Sequence, residues 1–120
     1  MSELDKIRMG RGKLGRVVVM RLAPGADLLK SLQEIAQQEK LAAGVVLSGA
    51  GSLSRATLRN VRSFPEEFPI TDRNRNYTPK QETLELVSLT GNISLKNGEP
   101  LIHCHVTVSS GTEDGKAYGG

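Results

Sequence analysis

Aromatic residues, cysteine and long apolar runs are scarce in this sequence. Aromatic residues make up 3% of the 120-residue chain, with no Trp, two Phe and two Tyr, so a core has to be built from Leu, Ile, Val and Ala. Such a core is thin, which favours self-association. The single cysteine, Cys104, excludes an internal disulfide framework and fits the reducing cytoplasm.

No long hydrophobic segment and no large excess of one charge is present either. The first apolar run, 17–20, spans four residues and is too short for a signal peptide or a membrane span. We therefore expect a cytoplasmic protein without a membrane partner. Sixteen Lys and Arg against thirteen Asp and Glu give a formal charge of +3, which permits an anionic partner such as DNA without requiring one.

The length of the chain fits a single domain preceded by a short arm. Residues 1–14 mix basic residues with acidic residues and glycine, and they lack an apolar period. We expect them to form a flexible basic N-terminal arm. Residues 15–120 then make up one domain.

The first elements of that domain are a strand and a helix. The β-branched run 16–22 predicts a first strand, which Pro24-Gly25 ends. Apolar residues at helical spacing predict one long helix over 27–41. Asp27 is a suitable N-cap, and Gly44 can end the helix in a left-handed conformation.

The rest of the chain reads as strands with one long loop. Segment 63–81 carries Pro65, Pro69 and Pro79 and predicts a polar loop. Lys96-Asn97-Gly98 predicts a tight hairpin turn. The predicted strands are 45–47, 56–61, 84–89 and a final one around 102–108. Segment 48–52 joins the first two of them, and the third ends near Gly91-Asn92.

The final strand alternates clearly. Ile102, Cys104 and Val106 alternate with His103 and His105, so a period of two turns the apolar set inward and both histidines to the opposite face. One helix with about five strands and several hairpin turns predicts an α+β fold dominated by an antiparallel sheet.

The two histidines are candidate metal ligands. Side chains two residues apart on a strand can converge on one ion, but a zinc site needs at least a third protein ligand. Glu85, predicted on the same sheet, could supply an oxygen ligand or support the histidines. The cofactor would be Zn or another divalent transition metal. The alternative is a pair of structural histidines in a subunit interface.

Five arginines are candidate DNA contacts. A basic stripe that binds phosphates would give salt-sensitive, weakly sequence-selective binding. Glu66, Glu67 and Asp72 lie nearby in sequence, so an ordinary solvated face is the alternative. The candidate residues are Arg55, Arg59, Arg62, Arg73 and Arg75.

Two weaker motifs are present. Gly49-Ala50-Gly51-Ser52 resembles a phosphate-binding loop, but it lacks a third glycine and a following helix, so a connection between strands is favoured. Gly10-Arg11-Gly12-Lys13 is a poor match to an AT-hook, since it lacks the proline and flanking basic residues.

Four segments together resemble the plants-and-prokaryotes conserved (PPC) domain over roughly residues 15–120. They are Arg21-Leu-Ala-Pro-Gly-Ala-Asp-Leu28, Leu47-Ser-Gly-Ala-Gly-Ser-Leu53, Glu85-Leu-Val-Ser-Leu-Thr-Gly-Asn92 and Gly98-Glu-Pro-Leu-Ile-His-Cys-His-Val106.

The resemblance implies a trimer-forming fold, and prokaryotic members are described as DNA-binding. It also implies, for some members, a metal site in which a third histidine follows a Gly-Gly pair. Here Gly119-Gly120 ends the sequence, so we expect the third ligand and the C-terminal strand or strands to be missing.

Two hypotheses follow. The favoured one is a small trimeric regulatory or architectural protein that associates with DNA and is not an enzyme. The alternative is a metal-dependent enzyme or small-molecule-binding protein that uses His103 and His105.

Overall fold

The computed structural model describes residues 2–120, which form seven strands and one α-helix. The strands are β1 (Gly44–Val46), β2 (Gly51–Leu53), β3 (Ala56–Val61), β4 (Arg75–Lys80), β5 (Leu84–Lys96), β6 (Glu99–Ser110) and β7 (Ala117–Gly119), and the helix is α1 (Leu28–Gln38). Short 3-10 helices lie at Glu3–Lys6 and Asp72–Asn74. All strand pairs are antiparallel, so the predicted antiparallel α+β fold is confirmed.

A long β5–β6 hairpin is the centre of the main sheet. Strands β1 and β2 both pair with the free edge of β5, and β7 pairs with β6. Asn97 and Gly98 have φ values of 53° and 78°, so the predicted tight turn is confirmed. A β-bulge between Leu86 and Ser88 shifts the register by one residue. The bulge keeps Leu89 on the same face as Leu86, so one side of the hairpin stays apolar along its length.

The helix α1 has a defined cap at each end. The Asp27 carboxylate accepts a 2.9 Å hydrogen bond from the Lys30 amide, which confirms it as the N-cap. At the other end Lys40 has a φ of 54°, and the Leu41 amide donates a 2.9 Å bond to the Ala36 carbonyl. The helix ends at Gln38, six residues before Gly44, so the prediction that Gly44 forms the C-terminal cap is wrong.

The helix covers one face of the β5–β6 hairpin. Leu32 and Ala36 are buried on the covered side, and the Gln33 amide donates a 2.7 Å hydrogen bond to the Pro100 carbonyl of β6. Since α1 is the only α-helix within residues 2–120, the opposite face of the hairpin carries no helix.

Strands β3 and β4 form a separate two-stranded ribbon. Leu58 of β3 packs with Leu84 of β5 and Val108 of β6 in the main buried cluster. These three side chains join the ribbon to the sheet. The outward side of the ribbon, which includes Arg59 and Tyr77, faces solvent.

The predicted first strand at 16–22 is wrong. Residues 7–22 have no regular secondary structure, and Val17 and Val19 are 67% and 91% exposed. A strand requires a partner for its backbone groups, and this segment pairs with no strand of residues 2–120. The β-branched composition indicated an extended conformation but could not supply the partner.

Three further boundaries differ from the prediction. The expected loop 63–81 is half strand, because 75–80 pairs with β3 as an edge strand that tolerates Pro79. The connection 48–52 contains the start of β2. Strand β5 does not end near Gly91 but continues to Lys96.

Two further findings concern strand β7 and the length of the helices. Strand β7 was not predicted, because three residues are too short to show an alternating pattern. Within residues 2–120, no helix has the length and apolar character that a membrane crossing needs.

Candidate functional sites

The two histidines lie together on the uncovered face of the sheet. His103 and His105 are both exposed, and their Nε2 atoms are 3.2 Å apart. Their ring centroids are 5.2 Å apart and the rings are tilted by 51°. The strand alternation therefore brings them together as predicted.

The neighbours of the histidines across the hairpin are polar and small. His103 lies opposite Asn92, and His105 lies opposite Thr90. Neither neighbour carries a carboxylate or a thiol. No group of three or more His, Cys, Asp or Glu side chains that could hold a metal ion occurs within residues 2–120. In the described part of this chain, the pair supplies two ligand positions.

Glu85 lies on the same face but farther along the hairpin. It pairs with Ser109, four residues from His105, which is roughly 13 Å along a strand. Its carboxylate accepts a 3.1 Å hydrogen bond from the Ser52 hydroxyl. Within one chain, Glu85 is therefore not brought into contact with the histidines.

Cys104 lies between the two histidines in sequence but on the opposite face. It is half-buried, and burial raises the pKa of its thiol. A raised pKa keeps the thiol protonated and weakly nucleophilic. This agrees with the expectation that Cys104 is an inert residue of the core face.

The five candidate arginines follow the β3–β4 ribbon. Arg59 lies directly opposite Tyr77 across the ribbon, and Arg75 lies opposite Val61. Arg55 precedes the ribbon and Arg62 follows β3, so the row extends roughly 24 Å along an extended chain. The structure thus brings Arg59 and Arg75 together on one outward face and leaves Arg55 at the far end.

The arginines nearest the loop are fixed by local contacts. The Arg62 guanidinium donates two hydrogen bonds, of 3.0 and 3.3 Å, to the carbonyl of Arg73. The Arg75 guanidinium lies 3.4 Å from the Asp72 carboxylate, which also accepts a 2.8 Å bond from the Tyr77 hydroxyl. These contacts hold the side chains in place before any partner binds.

Asp72 introduces a negative charge into the basic row. The hydrogen bond from Tyr77, then the one from Arg75, lowers the pKa of Asp72, and the charges of Arg75 and Arg59 lower it further. The carboxylate is therefore ionised at neutral pH and reduces the positive potential of the arginines. This position of Asp72 agrees with the sequence-based expectation that its negative charge reduces the positive charge of the arginines.

The glycine-rich segment after β1 has a packing role. A Cβ atom added at Gly49 would lie 2.8 Å from the Leu89 side chain, so only glycine fits there without a shift. The segment continues into β2 rather than a helix. The interpretation of residues 49–52 as a connection between strands is confirmed, and the phosphate-loop alternative is wrong.

A polar cluster that the sequence did not reveal joins β4 to the end of β6. The buried hydroxyl of Ser110 donates a short hydrogen bond to Glu82, which lies 3.6 Å from Lys80. Lys80 also lies 3.4 Å from Glu113 and 4.0 Å from the ring centroid of Tyr118. Its members are up to 38 residues apart, so no local spacing indicated it.

Three solved structures resemble this fold. A PPC protein from Pyrococcus horikoshii is 31% identical with a TM-score of 0.78, covering 95% of this chain and 73% of that one. A metal-containing protein from Archaeoglobus fulgidus is 26% identical with a TM-score of 0.77, covering 95% and 74%. A proposed DNA-binding protein from Ralstonia eutropha is 31% identical with a TM-score of 0.57, covering 78% and 57%.

A curated relative and a family model match as well. The bifunctional protein GlmU of a Synechococcus strain is 36% identical over 105 residues, which are 88% of this chain but only 14% of that protein. The model of the Plants and Prokaryotes Conserved (PCC) domain matches residues 9–120. With nearly the whole chain matched, this protein belongs to the Plants and Prokaryotes Conserved domain family.

Proposed function

We propose that this domain is a non-catalytic, trimeric regulatory or architectural protein that associates with DNA through the outward face of the β3–β4 ribbon. The observation that supports this best is the position of exposed Arg59 and half-buried Arg75 on that one face, with Arg62 and Arg73 beyond them. Guanidinium groups bind phosphates with directed hydrogen bonds. A row of them follows a nucleic-acid backbone without reading bases.

The comparison with Ralstonia eutropha supports the same proposal. That protein shares the fold and is named as a proposed DNA-binding protein. The net charge of +3 is small, so one copy would bind weakly. Three copies in one assembly would present three arginine rows, and binding through several rows raises the overall affinity.

The exposed surface of the chain supports self-association. The accessible surface is 9764 Å², whereas a compact monomer of 12.9 kDa has about 6,300 Å². The exposed residues 7–19 before α1 contribute to this excess of roughly 3,500 Å². The excess is large enough for the interfaces that stable assemblies bury.

A DNA-binding assay with variants tests the proposal. Duplex DNA at about 50 mM salt should bind, and binding should fall steeply as salt rises. Replacing Arg59 and Arg75 by Ala should reduce affinity about tenfold and lower the salt slope by about one per lost phosphate contact. Lys30→Ala, on the exposed side of α1, is the matched control and should leave binding unchanged. No binding at low salt, or equal loss in the control, contradicts the proposal.

Metal binding at His103 and His105 is a second candidate function. Two imidazole nitrogens bound tetrahedrally to one zinc ion at about 2.0–2.1 Å lie about 3.3–3.4 Å apart. The Nε2 atoms of the two histidines are 3.2 Å apart. The pair therefore fits two positions of such a site, and a bound ion would act as a Lewis acid or hold a ligand.

The remaining ligands would come from outside the histidine pair, such as the Glu85 carboxylate of a neighbouring copy. The metal-containing relative from Archaeoglobus fulgidus supports this candidate. Elemental analysis of untagged protein tests it: His105→Ala should lose the metal, and Thr107→Ala, on the same face of β6, should retain it. Equal metal content in wild type and His105→Ala contradicts metal binding by this pair.

A further inference from the structure

Both phenylalanines of the chain lie on one exposed loop. Phe64 and Phe68 are 77% and 70% exposed, and their ring centroids are 6.4 Å apart. Phenylalanine is the largest apolar side chain in this sequence, yet the buried cluster contains none. The chain has a thin core and yet exposes both phenylalanines side by side. Such an exposed apolar pair is typical of a docking surface.

The base of this loop is fixed by hydrogen bonds. The amides of Arg62 and Ser63 donate to the Asn74 carbonyl at 2.7 and 3.3 Å. The Thr71 amide donates a 3.1 Å bond to the side chain of Asn74. The loop is therefore held at its base, so docking would cost little ordering of the chain.

The loop has a uniform charge. Residues 63–72, which we call the aromatic loop, contain Glu66, Glu67 and Asp72 and no Lys or Arg. Glu66 and Glu67 form no ion pair with another residue of 2–120. A partner for this loop should be apolar with basic residues at its edges.

A surface with these properties occurs on the same chain. Residues 7–26 contain five basic residues and no Asp or Glu. Within them, 17–22 pairs with no strand of residues 2–120. Val17 and Val19 are exposed while Met20 and Leu22 are half-buried, an alternation that indicates extended backbone. We call residues 13–21 the basic segment. Its outer side carries Lys13, Val17, Val19 and Arg21 in a row.

The spacing of the two surfaces matches. Alternate residues of an extended chain are about 6.8 Å apart, which is the separation expected between Val17 and Val19. The ring centroids of Phe64 and Phe68 are 6.4 Å apart. Each ring can therefore cover one valine of an opposing segment.

We propose that the aromatic loop of one copy docks on the basic segment of a second copy. Phe64 and Phe68 pack on Val17 and Val19, and the acidic side chains of the loop face the basic ends of the segment. The inference rests on the self-association proposed above and names the surfaces that make it. Both surfaces are exposed within a single chain, so both are accessible to a second copy.

Sedimentation velocity of the full chain tests this docking. Replacing Phe64 and Phe68 together by Ser should raise the dissociation constant of the assembly at least about tenfold, since buried aromatic anchors dominate binding. Leu29→Ser, at an exposed apolar position of α1, is the matched control and should leave it unchanged. Because both phenylalanines are exposed, the thermal midpoint of the dissociated chain should not change.

A charge exchange provides the sharper test. Glu66→Arg with Glu67→Arg should weaken assembly, and so should Lys13→Glu with Arg21→Glu. Combining all four should restore the dissociation constant to within about threefold of wild type, because the opposite charges again face each other. Glu34→Arg on α1 is the control for added charge alone.

The outcomes separate this docking from the DNA proposal. A wild-type chain that stays monomeric at every concentration overturns both the self-association and the docking. An assembly that is unaffected by the loop variants, or not restored by the charge exchange, overturns the docking alone. An assembly that the loop variants weaken and the charge exchange restores supports the docking even if wild-type chain binds no duplex DNA at low salt, and that last result overturns the DNA proposal alone.

Discussion

The Tyr77 hydroxyl donates a 2.8 Å hydrogen bond to the carboxylate of Asp72, and this contact places a negative charge beside the arginines of the ribbon. Tyr77 lies opposite Arg59 across β3 and β4. The same carboxylate lies 3.4 Å from the Arg75 guanidinium. Asp72 therefore holds Arg75 and Tyr77 in place and also lowers the positive electrostatic potential on the outward face of the ribbon.

Removal of this charge should strengthen DNA binding. In Asp72→Asn the side chain can still accept a hydrogen bond from Tyr77, but it no longer neutralises Arg75. We expect the affinity for duplex DNA at low salt to rise about threefold to tenfold, with a steeper salt dependence. Fluorescence anisotropy measures both quantities. Glu34→Gln removes an exposed charge from α1 instead and should leave DNA binding unchanged. Weaker binding by Asp72→Asn would contradict the proposed interface.

Replacement of Gly91 should destabilise the sheet. A Cβ atom at this position would collide with the His103 carbonyl and lie 2.7 Å from the Cys104 sulfur. We expect Gly91→Ala to cost about 2–3 kcal/mol of unfolding free energy, as overpacking in a buried region does. Urea unfolding measures the cost. Gly12→Ala, where a Cβ atom meets nothing within 4 Å, should be neutral.

The ribbon should depend on one buried leucine. Leu58 is 4% exposed and packs with Leu84 and Val108. Leu58→Ala should cost about 2–4 kcal/mol through lost burial and the cavity it leaves. It should also weaken DNA binding if the ribbon loosens. Val61→Ala, on the outward side of the same strand, should cost much less, and equal costs would show that Leu58 does not anchor the ribbon.

The sequence predicted the features that depend on local pattern. Alternation placed His103 and His105 on one face, the Asp27 cap marked the start of α1, and Asn97-Gly98 marked the hairpin turn. Each of these follows from backbone geometry within a few residues.

The errors came from features that depend on distant partners. Residues 16–22 have strand composition, but no strand within 2–120 pairs with them. Gly91 suggested a strand end, although its lack of a side chain lets β5 and β6 approach closely. Strand β4 was hidden by Pro79, which only an edge strand tolerates. Amino-acid composition does not indicate which distant segments lie beside one another in the fold.

The cluster around Ser110 shows the same dependence on distant residues. Its hydroxyl donates to Glu82, and this hydrogen bond is the main reason that the pKa of Glu82 falls below its ordinary value of 4.5. The Thr112 hydroxyl and the charge of Lys80 lower it further, whereas partial burial and Glu113 oppose them. The carboxylate is therefore preferred in its charged form when the chain is folded.

This preference makes the contribution of Glu82 dependent on pH. Because the pKa of Glu82 is lower in the folded state, its contribution to the free energy of unfolding is fully present at a pH above the pKa of the unfolded chain. The contribution is lost as pH falls through the pKa of the folded chain. Glu82→Gln keeps a hydrogen-bond acceptor for Ser110 but removes the charge. It should lower the urea midpoint at about pH 7, and the difference from wild type should shrink progressively as pH falls below about 4.5.

Urea unfolding followed by circular dichroism at a series of pH values measures this difference. Glu34→Gln, at an exposed position that forms no ion pair within residues 2–120, should match wild type throughout. Tyr118 lowers the pKa of Glu113 through its hydroxyl, so Glu113→Gln should show the same trend in the same pH window. If the urea midpoint of Glu82→Gln stays below that of wild type by the same amount from pH 7 to pH 2, Glu82 stabilises the fold through hydrogen-bond geometry and not through its charge.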